Sequence, residues 1–358
     1  MRTRRSRFGV VAASVIMVGG PGFVASASPG TTAPSAPSLS DAAASGPDDI
    51  WAVGVDGSKP GIATHWDGTS WTWVPIAEPE TTFLTTVGVL APDDAWAAGH
   101  TFHLVHDHLL LEHWDGVSWK AVDVPGPTGE LVWPLDMARD GNELWLIGFV
   151  DRPGKGRMPF LQHFDGSRWR SVPAPQGSTF MELNSVYPDG AGNVWVAGSW
   201  WSHGLRQYVG RWDGQQWRRS NTGPFQGLGV HGGVDAITGR GTTLWAVADS
   251  ERPWPTFLRR DDDGWHQTRI RVDGDRGASA IAPLPHAGPW VAVNSPRVAA
   301  LRRTGSDWQP VGDPGSYERI AFAHALLVFS PTDAWLIGSR ADIGSGRLHW
   351  DGVRWQAF

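Results

Sequence analysis

The sequence contains no cysteine among its 358 residues. Disulfides, thiolate-based metal sites and cysteine nucleophiles are therefore excluded. A protein without such cross-links must take its stability from a buried core and from closure of its fold.

Positive charge is also scarce. The formal net charge is −6, and removal of the four arginines of the N-terminal leader described below would leave 26 basic against 36 acidic residues. An acidic balance gives no electrostatic basis for binding nucleic acid or an anionic membrane. We expect no nucleic-acid partner, and no residue pattern calls for a cofactor.

Long apolar runs are absent beyond the N-terminus. There, arginines precede an apolar stretch, Phe8–Val24, which a Gly-Pro-Gly segment interrupts, and Ala25–Ala27 supplies small residues at the cleavage positions. This pattern predicts a secretory signal peptide over 1–27 and a flexible Pro/Ser/Thr-rich linker over 28–38. The alternative is a membrane anchor, which the break and the short run disfavour. We expect a secreted, extracellular protein without membrane contact after cleavage.

Tryptophan is in excess, with 23 residues beside 45 glycines. One series recurs every 45–50 residues in segments such as DDAWAAG and TDAWLIG: Trp51, Trp96, Trp145, Trp195, Trp245, Trp290 and Trp335. A second series follows WDGxxW-like turns: Trp71, Trp119, Trp169, Trp217, Trp265, Trp308 and Trp355. A third, partial series contains Trp66, Trp114, Trp212 and Trp350, with Phe164 in the slot of the third unit.

Each repeat unit reads as four short β-branched or aromatic runs separated by Asp/Gly/Pro turns, with almost no helical periodicity. Seven such units predict an all-β fold, a seven-bladed β-propeller with four antiparallel strands per blade over 39–358. Blade 1 is expected to start at Leu39–Ser45, so that each blade is contiguous. The alternative is a six-bladed ring with one stray unit.

The PDDxWAVG and WDGxxW segments resemble the tandem-repeat propellers of secreted bacterial proteins. The turn also resembles the Asp-box of sialidase-type propellers, although Asp and Gly are adjacent here. The resemblance covers nearly all of the chain after the leader. It implies functions that range over sugar binding, glycoside hydrolysis, lyase chemistry and protein scaffolding, and it does not choose among them.

The repeated HWDG motif combines residue types that also occur in active sites. Asp-Gly is a favoured turn pair, because both residues tolerate positive φ and Asp bonds its own turn. A motif repeated around the whole ring is typical of a structural device. We therefore interpret Asp67, Asp115, Asp165, Asp213 and Asp351 as turn residues, and give the preceding His65, His113, His163 and His349 the same role.

Function is expected where the units differ, in the loops on the opposite face. Five tryptophans lie outside the series, and Trp73 is assigned to rim packing. The other four fall in variable loops or at a blade entry of neighbouring blades, and we predict a ligand-binding site formed by Trp133, Trp200, Trp201 and Trp254 with Glu182 and Arg206. The alternative is that these tryptophans pack loops against one another.

Catalytic and metal sites have weaker candidates. A facing pair of carboxylates could serve a glycosidase, and the blade entries supply Glu130, Glu182, Asp235 and His231 as candidates. The segment GHTFHLVHDHLLLEHW supplies His103, His106 and His108 as candidate zinc ligands, without a spacing that demands a metal.

The sequence thus predicts a monomeric carbohydrate-binding, lectin-like module whose partner is a glycan or cell-surface polysaccharide. One alternative is a glycoside hydrolase or polysaccharide lyase with carboxylates at the channel mouth. The other is a scaffold that binds another protein.

Overall fold

The computed structural model describes residues 37–358 except 57–58, 78–81, 102–107, 128–130, 153–155, 177–179, 202–203, 221–232, 241–242, 249–255, 270–276, 285–286, 295–298, 313–319 and 341–343. The described strands belong to one unit, Pro34–Phe358, and form seven four-stranded antiparallel sheets. This confirms the predicted seven-bladed β-propeller. The predicted signal peptide lies outside the described residues. None of the described residues forms a helix long and apolar enough to cross a membrane.

The first strand of each blade lies nearest the axis, and the second strand pairs with it. The first strands are β1 (Ser38–Gly46), β5 (Thr82–Ala91), β9 (Leu131–Asp140), β13 (Met181–Pro188), β17 (Val234–Arg240), β21 (Ala278–Ala282) and β25 (Ile320–Ser330). The second strands are β2 (Asp49–Asp56), β6 (Asp94–Thr101), β10 (Glu143–Arg152), β14 (Val194–Trp201), β18 (Thr243–Ala248), β22 (Trp290–Val293) and β26 (Asp333–Arg340).

The third and fourth strands complete each sheet toward the rim. The third strands are β3 (Lys59–Trp66), β7 (His108–Trp114), β11 (Gly156–Phe164), β15 (Leu205–Trp212), β19 (Thr256–Asp261), β23 (Ala300–Thr304) and β27 (Gly344–Trp350). The fourth strands are β4 (Trp71–Val74), β8 (Trp119–Val122), β12 (Trp169–Val172), β16 (Trp217–Arg219), β20 (Gly264–Arg269), β24 (Asp307–Pro310) and β28 (Trp355–Ala357).

The core lies between neighbouring blades, where the second strand is buried on both faces. In blade 1, for example, Trp51, Ala52 and Val53 are fully buried. Trp51 and Val53 pack toward blade 2, whereas Ala52 packs toward blade 7. This two-sided burial explains the continuous apolar character of the WAVG segments, because alternate side chains of a strand point to opposite faces.

Each first strand contains a β-bulge at the same repeat position, occupied by Ser40, Thr85, Leu135, Asn184, Asp235, Ser279 and His324. The bulge brings a first-strand carbonyl against the glycine that ends the WAVG segment. A Cβ on Gly99 would lie 1.9 Å from the carbonyl oxygen of Phe83, and one on Gly198 would lie 2.0 Å from that of Glu182. Only glycine fits there.

Blades 5 and 6 depart from this pattern. Ala248 and Val293 occupy the glycine position, and their partners Val234 and Ala278 are the first residues of β17 and β21. In blades 5 and 6, the described first strand therefore begins one residue after the position whose carbonyl contacts the glycine in the other blades.

The ring closes by packing between blades 7 and 1. Strand β1 packs against β25 as well as β5, and each sheet contains four consecutive strands. Trp66 lies 4.9 Å from Trp335 between ring centroids, and the Ser345 amide donates a hydrogen bond to the Pro37 carbonyl over 2.7 Å. No strand is exchanged between the first and last described blades.

We predict that Gly99→Ala lowers the free energy of unfolding by about 2 kcal/mol or more, because the added methyl overlaps a backbone carbonyl. The matched control is Ala248→Gly at the same repeat position of blade 5, which should cost about 1 kcal/mol through chain entropy. Urea unfolding followed by tryptophan fluorescence measures both. Equal or smaller destabilisation by Gly99→Ala would contradict the explanation.

Candidate functional site

The WDG segments form self-contained turns. Asp67 Oδ1 accepts hydrogen bonds from the amides of Thr69 and Ser70, each over 2.8 Å, and Gly68 has a φ of 86°. The same two bonds recur at Asp115, Asp165, Asp213 and Asp351. These bonds to the ionised form lower the pKa of the Asp67 carboxyl. The motif is therefore a structural turn.

The histidine before each of these turns is also occupied structurally. His65 Nε2 lies 2.6 Å from Asp49 Oδ1, and its ring stacks on Trp51 at 4.5 Å. The same pairing with an acidic residue and stacking on tryptophan occur at His113, His163 and His349. These contacts leave the imidazoles fixed between strands.

The loop-face ends of blades 3 and 4 bring several predicted site residues together. Strand alternation places Trp200 and Arg206 on the side of blade 4 that faces blade 3, and Trp133 pairs with Phe149 within blade 3. Trp133 stacks on His100 at 4.2 Å and on Phe149 at 6.4 Å. We call this group, with Arg157, Phe180 and Glu182, the blade 3–4 cluster.

An ion pair lies at the centre of the blade 3–4 cluster. Arg157 Nη1 donates to Glu182 Oε2 over 2.7 Å, and the guanidinium lies 4.0 Å from the Phe149 centroid and 5.8 Å from that of Phe180. The Glu182 side chain is 2% exposed, whereas Arg157 is 29% exposed. Glu182 therefore holds Arg157 in place, and Arg157 is the member of the pair that a ligand can reach.

The three tryptophans that the structure describes differ in exposure. Trp201 is 55% exposed, and its amide bonds to the Phe180 carbonyl over 2.9 Å. Trp200 is partly buried beneath the Arg219 guanidinium, which lies 4.1 Å from its ring centroid. Since neighbouring residues of a strand point to opposite faces, Trp201 faces blade 5 and is separated from Arg206. Trp254 lies outside the described residues.

Most of the remaining candidate residues lie outside the described part of the chain. Glu130, His231, His103 and His106 lie outside the described residues, and for His108 only the backbone position in β7 is described. Asp235 occupies the bulge of β17. Within the described ranges, no group of three His, Cys, Asp or Glu side chains could hold a metal ion.

One repeat position, two residues before each bulge, forms what we call the mouth ring: Ser38, Phe83, Trp133, Glu182, Gly233, Gly277 and Phe322. Its aromatic members lie in blades 7, 2 and 3. Phe322 is 50% exposed. Sequence reasoning treated Trp133 as a non-repeat residue, and an alignment of the first strands would have revealed this shared position.

Two carboxylates beside the bulges were also missed. Asp41 Oδ2 accepts from the Thr86 hydroxyl over 2.7 Å and from the Val87 amide over 3.1 Å, which joins blade 1 to blade 2. Asp136 Oδ2 accepts from the Val186 amide over 2.8 Å, which joins blade 3 to blade 4. These carboxylates connect blades. The signal for them in the sequence is an Asp directly after the residue at the bulge.

Burial raises the pKa of Asp41 from 3.8 to about 7, and the charge of Asp136 adds to this shift. Burial also raises the pKa of Asp136. The native protein therefore retains these protons at pH values where the unfolded chain has released them. The neutral form of these carboxyls stabilises the folded state fully below about pH 4. This stabilisation is lost as the pH rises through about 7, the pKa of Asp41 in the folded protein.

We predict that Asp41→Asn removes much of this pH dependence, because the amide cannot ionise and can still accept the two bonds from blade 2. The gain in stability relative to wild type should be small at pH 4 and larger at pH 8, at most about 4 kcal/mol, since Asp41 keeps some accessible surface. Urea unfolding at four pH values measures it. A gain that is constant across this range would contradict the assignment.

No protein-family model matches the chain, and no match was found among curated proteins. Solved structures do match. The chain is similar to YCF48 bound to D1 peptide, at 15% identity and a TM-score of 0.59 over 90% of this chain and 95% of that one. It is also similar to the six-bladed fucose-recognising lectin of Aleuria aurantia, at 10% identity and a TM-score of 0.51 over 90% and 95% of the two chains.

A puromycin-hydrolysing peptidase of Mycobacterium tuberculosis matches at 15% identity and a TM-score of 0.55, over 90% of this chain and 53% of that one. All three identities are far below the level at which shared function follows from shared fold. The similarity to these proteins shows the β-propeller fold.

Proposed function

We propose that this protein is an exported carbohydrate-binding β-propeller whose glycan site lies at the loop-face ends of blades 3 and 4. The observation that carries the proposal is the concentration there of accessible aromatic and guanidinium groups. Trp201 and Arg206 are exposed, and Trp133, Phe180 and Trp200 are partly exposed.

The aromatic groups are held on rigid elements. Trp200 and Trp201 end strand β14, where they pair with Arg206 and Leu205 of β15. Trp133 lies within β9 and contacts rings of two blades. A fixed, exposed indole offers a flat apolar face with an N–H at its edge, and it loses little side-chain entropy on binding. Sugar rings present a matching apolar face between their hydroxyl groups.

Arg157 adds a planar donor group to this surface. Its position between Phe149 and Phe180 and its pairing with Glu182 fix its direction, and part of the guanidinium remains accessible. Preorganised donors of this type suit the paired hydroxyl oxygens of a saccharide. The lectin from Aleuria aurantia shows that a propeller can serve such recognition.

A hydrolytic function has less support. The candidate carboxylate Glu182 is buried and ion-paired with Arg157. A glycosidase acid must approach the leaving-group oxygen and carry a proton there, and a carboxylate held by a guanidinium serves neither purpose. We therefore place Glu182 among the groups that position the site.

We predict that Trp201→Ala weakens binding to a recognised glycan about tenfold, which corresponds to about 1.4 kcal/mol of lost stacking. Glycan-array screening of the folded protein identifies the glycan, and calorimetry measures the affinities. Phe322→Ala is the matched control, because it removes an exposed aromatic from the mouth ring in blade 7.

The control variant should bind as wild type does. Unchanged binding by Trp201→Ala and by Arg206→Ala would reject the site. Failure of the wild-type protein to bind any glycan, together with capture of a peptide, would favour the scaffold function instead.

A further inference from the structure

The seam between blades 7 and 1 contains a charged residue at a core position of the repeat. Arg347 lies two residues before His349 of the third strand. The equivalent residues of the six other blades are apolar and at most 1% exposed: Ala63, Leu111, Leu161, Val209, Phe257 and Ala300. The guanidinium at this position therefore departs from the packing rule of the whole ring.

Arg347 lies across the seam against the outer half of blade 1. Its guanidinium carbon is 5.0 Å from the Trp71 ring centroid and 6.0 Å from that of Trp73, and Nη1 lies 3.4 Å from Thr64 Oγ1. The side chain is partly buried, and this burial lowers its pKa. Two indoles and one hydroxyl thus surround the cation.

Arg347 forms no salt bridge with any carboxylate in the described part of the chain. A guanidinium carries five N–H donors, and Thr64 is the acceptor that the described residues provide. Arg157 makes the contrast clear, because it also packs on aromatic rings but is paired with Glu182 over 2.7 Å. Among the described residues, the site around Arg347 therefore has a guanidinium without a paired carboxylate.

A second departure from the repeat occurs at the same seam. Trp73 is 54% exposed on β4, although contact of the apolar indole surface with water costs free energy. The equivalent residues of the other blades are Ala121, Ser171, Arg219, Gln267, Pro310 and Ala357. Trp73 pairs with Thr64 across β3 and β4, so the indole, the hydroxyl and the guanidinium share one side of blade 1.

We propose that this seam is a binding site for a carboxylate-bearing sugar, a uronic acid residue of a polysaccharide. The guanidinium of Arg347 supplies planar paired donors for the carboxylate, and the exposed indole of Trp73 stacks on the pyranose ring. A uronate carries its carboxylate directly on the ring, so one small unit satisfies both groups. This site lies at the rim, apart from the blade 3–4 cluster, and does not rest on the proposed function.

The test is calorimetric titration of the folded protein with trimers of galacturonate and glucuronate and with their neutral methyl esters. Wild type should bind at least one acid trimer at least tenfold more tightly than its ester. Arg347→Leu should lose this preference and keep or raise the thermal midpoint, because Leu111 and Leu161 fill the same position in blades 2 and 3. Trp73→Ala should weaken binding of the acid trimer at least tenfold.

Trp73→Ala changes an exposed side chain, so the test does not depend on folding of the Arg347 variant. Phe322→Ala, which removes an exposed aromatic of the mouth ring outside both proposed sites, should leave uronate binding unchanged. Equal binding of acid and ester, no binding of either acid trimer, or full retention by Trp73→Ala overturns the proposal. Binding of a glutamate-rich peptide through the same residues, without uronate binding, overturns the sugar assignment.

Discussion

In five of the seven blades, the architecture depends on the close contact between the bulged first strand and the glycine of the second strand. The bulge directs the carbonyl of Phe83, for instance, into the space where Gly99 would carry a Cβ. It also turns the following side chain toward the next blade, as the hydrogen bond that the Thr86 hydroxyl donates to Asp41 shows. One local irregularity thus fixes the composition of the WAVG segment and links successive sheets.

The sequence was sufficient to predict the fold, because its signals are periodic and local. The spacing of the tryptophans predicted the number of blades. The Asp-Gly pair predicted a turn whose hydrogen bonds join residues within a five-residue segment. Contacts between blades were not predictable in this way, because they depend on how the strands of two blades align. These contacts are the bonds to Asp41 and Asp136 and the Arg157–Glu182 pair. The position that Trp133 shares with residues of the other first strands was not predictable for the same reason, because this position is defined by the bulge.

The candidate site was predictable only in part. Counting tryptophans outside the series drew attention to blades 3 and 4, where Trp200 packs at their boundary and Trp133 stacks on Phe149. The same count could not separate Trp200 from Trp201, which strand alternation places on opposite faces of one sheet. The count also could not show that Glu182 is ion-paired with Arg157. Exposure and pairing are properties of the assembled blades.

Closure of the ring without strand exchange has a consequence for its dynamics. The sheets remain complete on either side of the seam, and the described backbone contact that crosses it is the bond between Ser345 and Pro37. Blades 7 and 1 can therefore part by losing this bond and the side-chain contacts of the seam, with every sheet ladder intact. We expect partial opening at this boundary to require less free energy than global unfolding. The packing of Trp66 against Trp335 across the seam opposes this opening of the ring.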